Sequence, residues 1–287
     1  MDVVTFGSDI SFLDEPGIVP RQEELAKLYR EHISGTSDKL ESIYLPPQNG
    51  ESPKILLALF HGYSGSVLSF WNNAIDFAEK LPEAGIIIMN GAEAFEDNPE
   101  FPAEGRPDSR QWFSFLPSFS LPEAHERLAS VVPKVHEYLD SKLQQFGLGP
   151  EKLALCGFSQ GCMMATFTAL TRRYGACVGV SGGVALDIRG PRIAKDIPHF
   201  DPVGFMARWA SDTLPTVVAT DSKYTPVMLM HGGQDPIVNP AVLPKSVKAL
   251  ACLGVAVESR VFADEGHHFN IDMKTAAADF IRRTFKI

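Results

Sequence analysis

The sequence predicts an α/β fold with a mainly parallel central sheet flanked by helices. Three observations predict it. Short unbroken apolar runs recur along the chain, as in strands covered on both faces. Amphipathic stretches with apolar residues at helical spacing lie between them. One junction between such a run and such a stretch reads Gly157-Phe158-Ser159-Gln160-Gly161, a G-x-S-x-G turn from strand to helix.

The strand candidates are Ile55–Phe60, Ile86–Met89, Leu153–Cys156, Cys177–Val180 and Val227–Met230, with a weaker last one in Val255–Val257 and Val261–Phe262. The helix candidates are Ser66–Lys80, Pro122–Phe146, Gln160–Tyr174, Pro240–Leu253 and Asp272–Phe285. In the second of these Leu128, Val131, Val132, Val135, Tyr138, Leu139 and Leu143 form one apolar face. Strand and helix alternate, which is the pattern of a parallel sheet. Residues 41–287 read as a single domain of this kind. Residues 1–40 read as an N-terminal extension with one helix from about Arg21 to His32, opened by Pro20 and closed near Gly35. Residues 183–225 interrupt the alternation with four prolines and the aromatic set Phe200, Phe205 and Trp209. An interval this long reads as a surface insertion with its own small core, or as a lid or pocket wall.

Composition narrows the function. The chain has 287 residues, 45% hydrophobic and 21% charged, which excludes a disordered chain, a fibre and a small disulfide scaffold. Thirty-five acidic against 26 basic residues give a net charge of −9, which argues against nucleic acid as a main partner. Cys156, Cys162, Cys177 and Cys252 lack metal-type or CxxC spacing and read as reduced thiols. The N-terminus has no signal-peptide pattern, and the longest clear apolar run is far too short to cross a bilayer. A cytoplasmic protein without a transmembrane segment is expected.

The chemistry centres on Ser159. A serine hydroxyl is a poor nucleophile until a base takes its proton and an acid orients that base. The chain order in such turns is Ser, then Asp or Glu, then His. The acid candidate is Asp235, directly after the strand candidate that ends at Met230; Asp264 competes but lies beside the histidines as a turn residue would. The base candidates are His267 and His268; Gly266 gives His267 room for a close approach and leaves His268 as a neighbour or substrate contact. A zinc site on these two histidines and Asp235 lacks a further nitrogen or sulfur ligand of convincing spacing. The oxyanion hole needs two main-chain N–H groups. Gln160 opens the helix after the serine, and Tyr63 lies in the loop Phe60-His61-Gly62-Tyr63-Ser64-Gly65 after an early strand. His61 precedes the serine and reads as a residue that shapes this loop.

Together, His61-Gly62-Tyr63-Ser64-Gly65, Trp112-Phe113, Gly157-Phe158-Ser159-Gln160-Gly161, Ser181-Gly182, His231-Gly232-x-x-Asp235-Pro236 and Gly266-His267 resemble the acyl-protein thioesterase or phospholipase/carboxylesterase family of the α/β-hydrolase superfamily. The resemblance spans roughly residues 53–285. It implies an α/β-hydrolase fold, hydrolysis of carboxylic esters, thioesters or lysophospholipids by a serine triad, and no metal or other cofactor. Ser159, Asp235 and His267 would be the triad, Tyr63 and Gln160 the oxyanion donors, and Trp112 part of the acyl pocket wall. Lipid or acylated-protein substrates and a homodimer are also implied. Cys162 stands where the family usually has a second glycine, and the loop after His61-Gly62 reads Tyr-Ser-Gly rather than Leu-Gly-Asp. A peptidase, a small-ester hydrolase and a non-catalytic binding protein on the same scaffold are the alternatives.

Overall fold

The computed structural model describes residues 4–6, 9–11, 40–95, 108–115, 121–184 and 221–287. The helix expected at Arg21–His32 and the aromatic set of the long insertion lie outside the described residues. The strands are β1 (Val4–Phe6), β2 (Asp9–Ser11), β3 (Ser42–Leu45), β4 (Ile55–Phe60), β5 (Ala84–Met89), β6 (Glu93–Ala94), β7 (Arg110–Gln111), β8 (Leu153–Phe158), β9 (Ala176–Val180), β10 (Val227–Gly232) and β11 (Val257–Phe262). Nine of them form one sheet in the order β1-β2-β3-β5-β4-β8-β9-β10-β11, and β6 pairs separately with β7. From β5 to β11 every neighbouring pair is parallel; β3 joins β5 antiparallel.

The solid apolar runs follow from burial on both faces. In β4, Leu56, Ala58 and Phe60 enter one core while Ile55, Leu57 and Leu59 enter the other. The first core holds helices α2 (Leu121–Phe146), α3 (Gln160–Thr171) and α4 (Val242–Cys252). The second holds α1 (Val67–Lys80) and α5 (Ile271–Phe285). Ser66 caps α1 by accepting from the Ser69 N–H, and Ser69 answers by accepting from the Ser66 N–H. Asn270 caps α5 through the Met273 N–H at 2.8 Å. Between α2 and α3, the His136 ring is held by the Tyr174 hydroxyl at 2.5 Å and by Thr171 Oγ1 at 3.0 Å.

Because the central strands are parallel, the loops after β4, β8, β10 and β11 all leave the sheet at the same end. That end is where ligands bind in open α/β sheets.

Candidate active site

Ser159 follows β8 and is the N-cap of α3, with φ 54° and ψ −117°. A non-glycine residue at positive φ is strained, and such strain is held in place by its surroundings. Here the surroundings are backbone packed on backbone. A Cβ on Gly157 would stand 2.1 Å from Gly161 O, and one on Gly161 would stand 2.1 Å from Phe60 O and 2.5 Å from His61 O. The two glycines therefore let β8, α3 and the end of β4 meet at the turn. The Ser159 N–H donates to Val180 O at 2.9 Å, tying the turn to β9.

The structure brings Ser159, His267 and Asp235 together. His267 Nε2 lies 3.1 Å from Ser159 Oγ, and His267 Nδ1 lies 2.8 Å from Asp235 Oδ2. The Nδ1–H donates to the carboxylate, which leaves Nε2 to accept the serine proton. His268 is exposed. The loops that carry Asp235 and His267 are joined by main chain: Gly233 N–H donates to Phe262 O at 2.7 Å, and Gln234 N–H to Glu265 O at 2.8 Å. A Cβ on Gly232 would stand 2.2 Å from Gly266 O, so only glycine permits this contact.

Asp235 is buried, and burial opposes its charge. Hydrogen bonds from His231, His267 and the Val238 N–H outweigh that cost and hold its carboxyl well below the usual carboxylate range. Its other oxygen, Oδ1, accepts from the N–H groups of Ile237 at 2.9 Å and Val238 at 2.8 Å. His231 opens the His231-Gly232-x-x-Asp235-Pro236 motif, but motif reading gives it no role at the site. Its fully buried Nε2 lies 2.8 Å from Val238 O and 3.2 Å from Asp235 Oδ2, so its N–H is shared between carbonyl and carboxylate. His231→Leu is expected to lower kcat roughly tenfold with little change in KM, matching about 1.5 kcal/mol for a hydrogen bond to a charged group. Steady-state kinetics on a chromogenic ester check this.

The loop after β4 lies against Ser159: a Cβ on Gly62 would stand 3.4 Å from Ser159 Cβ. His61 shapes this loop. Gly91 N–H donates to His61 Nε2 at 2.8 Å, so Nδ1 carries the proton and donates to Gly62 O at 2.7 Å. Trp112 is fully buried and holds the loop from behind, donating its Nε1–H to His61 O at 2.9 Å. A buried indole N–H needs a partner, and His61 O supplies it. A partly buried aromatic cluster lies on the loop itself: the Tyr63 ring packs on Phe95 at 4.8 Å and on Phe115 at 4.9 Å. Phe115 also meets Phe113 edge-on. The Gln160 side chain grips the same segment, accepting from Trp112 N–H at 2.9 Å and donating to Phe113 O at 2.8 Å. Its own N–H opens α3, where the first N–H groups of a helix have no intrahelical acceptor.

Burial pushes the His61 imidazole down to about 4 from an ordinary 6.5, and burial with the nearby Arg172 does the same for His136. Between those pH values the folded protein binds fewer protons than the unfolded chain. Stability is therefore full above pH 6.5 and falls as pH drops toward 4. For His61 the loss is on the order of 3 kcal/mol across that window. Melting curves taken in steps from neutral to acid pH check this; a flat Tm would contradict it.

A family model described as phospholipase/carboxylesterase matches residues 47–206. The chain belongs to this family. Membership makes it a hydrolase of the carboxylic-ester type, with an α/β-hydrolase fold. A second model, described as the prolyl oligopeptidase family, matches residues 132–286. Esterase YpfH of Escherichia coli K12 is 27% identical over 229 residues, covering 80% of this chain and 82% of that protein. Acyl-protein thioesterase 1 of Schizosaccharomyces pombe is 26% identical over 174 residues, covering 56% of this chain and 70% of that one. The crystal structure of esterase PE8 superposes with a TM-score of 0.63 at 22% identity, covering 86% of this chain and 99% of that one, which supports the fold. No helix among the described residues is long and apolar enough to cross a membrane.

Proposed function

We propose that this protein cleaves carboxylic esters or thioesters by two-step acyl transfer through Ser159, His267 and Asp235. The observation that carries this reading is the continuous chain of contacts from Ser159 Oγ through the His267 ring to Asp235 Oδ2, at 3.1 and 2.8 Å. In this reading His267 takes the Ser159 proton as the oxygen attacks the carbonyl carbon. Asp235 holds the ring's tautomer and stabilises the imidazolium. The Tyr63 and Gln160 N–H groups bind the developing oxyanion, each such donor contributing about 3–4 kcal/mol in comparable sites. His267 then protonates an alkoxide leaving group, whereas a thiolate leaves with little help. Water, deprotonated by His267, cleaves the acyl-enzyme and regenerates Ser159.

The substrate class follows from the aromatic surface beside the oxyanion loop. Tyr63, Phe95 and Phe115 offer apolar area for an uncharged acyl group. Small acyl esters and thioesters fit this surface, and acylated lipids or proteins are the larger candidates, as the thioesterase relative's name suggests. The four cysteines are free thiols, which fits a reducing, cytoplasmic setting.

A series of p-nitrophenyl esters and matching acyl-thioesters of increasing chain length tests the reading. kcat/KM is expected to rise with the first added methylenes, by up to a few-fold each given about 0.8 kcal/mol per buried CH₂. Phe115→Ala is expected to flatten that rise. A rate that falls with every added carbon would sink the acyl-pocket assignment. Peptide amides cleaved faster than esters would favour the peptidase alternative that the second family model raises.

A further inference from the structure

β8 ends in Phe158, the residue between the first glycine of the elbow and Ser159. Side chains alternate along a strand, so Phe158 follows Ala154 and Cys156 onto the face covered by α1 and α5. At the last position of the strand its ring stands at the end of the sheet where the loops meet. The His267 ring lies there too, with the ring centroids 4.8 Å apart and the planes tilted by 43°. Two further groups hold the Phe158 ring. Phe269 lies almost parallel to it, at 6.2 Å and 6°. A Cβ on Gly62 would stand 3.2 Å from Phe158 Cδ1, so the main chain after β4 also packs on the ring. Phe269 is braced in turn by Phe70 at 6.3 Å and Phe77 at 5.9 Å, both on α1.

We propose that Phe158 is a positioning residue for His267, whose ring face stabilises the imidazolium that forms when His267 takes the Ser159 proton. This role rests on the acyl-transfer reading above. The face of an aromatic ring attracts a cation that lies within about 6 Å of its centroid. In that reading His267 is neutral before the attack and charged in the transition state. A contact that favours only the charged form lowers the barrier without tightening ground-state binding. The His267 side chain keeps only 16% of its surface, so little water competes with the ring for the charge. Leucine would fill the end of the strand with apolar atoms, but it has no negative face.

Other groups act on the same charge. Asp235, on the loop after β10, accepts from His267 Nδ1 at 2.8 Å and supplies the opposing charge. His231 of β10 shares that carboxylate at 3.2 Å. Ser159 Oγ lies 3.1 Å from His267 Nε2. Asp264, Glu265 and His268 belong to the same loop as His267. His61, in the loop after β4, has both ring nitrogens engaged by the main chain of Gly62 and Gly91. Lys274 of α5 lies over the Phe269 ring at 5.9 Å, and its charge is paired with Asp76 of α1. All of these groups remain when the Phe158 ring is altered, so the share of that ring is read by difference.

Fluorinated phenylalanines placed at position 158 test this role. Fluorine drains negative potential from the ring face in steps while nearly keeping the ring's shape. Weakening a contact to the charged form moves the pH at which His267 charges downward. Across mono-, di- and trifluoro rings that shift is expected to grow stepwise to about one pH unit, read by NMR of the imidazole. On a chromogenic ester, kcat is expected to fall in step, by roughly tenfold in all, with KM nearly constant. The acid limb of the kcat/KM profile is expected to move to lower pH as the plateau drops. Phe158→Tyr keeps the ring and is expected to stay within about twofold of the native rate, whereas Phe158→Leu is expected to lose about as much as the trifluoro ring. Circular dichroism melts confirm that each variant is folded. A His267 titration that stays flat across the fluorine series, with Phe158→Leu still impaired, would reduce Phe158 to packing and overturn the proposal. A titration that moves upward with fluorine would place the ring's edge toward His267 and overturn it as well. The NMR measurement needs no turnover. Normal activity in Ser159→Ala would strike the acyl-transfer reading and this role with it, whereas an unmoved His267 titration strikes the role alone.

Discussion

Ser159→Ala is expected to lower kcat by on the order of 10⁶ while leaving the fold and its melting temperature almost unchanged. The side chain removed is a single hydroxyl that pairs with His267 Nε2, so little packing is lost with it. Residual turnover is expected to reflect the oxyanion donors and binding alone. His267→Ala is expected to cost about as much. The double variant should cost little more than either, because residues that act as one unit are not additive. A fluorophosphonate probe read by intact mass and peptide mapping gives the complementary result. One adduct on Ser159 is expected in the native protein and none in either single variant. Near-normal turnover in Ser159→Ala would remove the nucleophile from the mechanism, whatever the geometry around it.

Gly161→Ala is expected to have the largest effect on stability. The added Cβ would meet Phe60 O at 2.1 Å, His61 O at 2.5 Å and Phe60 C at 2.6 Å, all of them backbone atoms. A side chain could rotate away; a strand end hydrogen-bonded into the sheet cannot. Either α3 moves off β4 and takes the elbow with it, or the loop after β4 shifts. We expect a loss of more than about 4 kcal/mol, from a backbone clash at a strained site. For a domain of this size that lowers Tm by on the order of 10 °C. The internal control is Gly147→Ala. Gly147 also has a special conformation, φ +65°, but nothing lies within 4 Å of its would-be Cβ. There the cost is the left-handed backbone alone, about 1–2 kcal/mol. Chemical denaturation of both variants separates crowding from conformation.

Much of this architecture was legible in the sequence for one physical reason: strands buried on both faces carry unbroken apolar runs. β4, β5, β8, β9 and β10 all do, and each shows as such a run. β11 reads as two weak pieces because its middle, Glu258-Ser259-Arg260, is exposed at the sheet edge. β3 escapes notice because it is only four residues long, begins with a serine and pairs antiparallel. β1 and β2 are shorter still.

The same distinction applies at the site. Ser159 announces itself by the glycines its turn needs; chain order then leaves Asp235 or Asp264 as acid candidates and His267 or His268 as base candidates, and strand position and Gly266 favour Asp235 and His267. His231 stands in a quoted motif, but its role does not announce itself. Its contact with Asp235 depends on how the loop to Val238 folds back over β10, which no spacing rule encodes. Trp112 is visible as an aromatic residue near the chemistry, but sequence cannot say which way its ring turns. The buried indole N–H, seeking His61 O, decides that. The inward turn leaves Tyr63, Phe95 and Phe115 as the half-buried aromatic group beside the loop.

Gln160 adjoins the nucleophile, and its side chain is bonded at both ends to the main chain of residues 112 and 113. Trp112 in turn carries the loop that faces Ser159. Detaching that short segment would release the oxyanion loop and the start of α3 in one event. A molecule caught in that state would not be a slower hydrolase with a wider mouth and looser taste. On the proposed mechanism it is expected to be silent, because Ser159 and the loop after β4 part together.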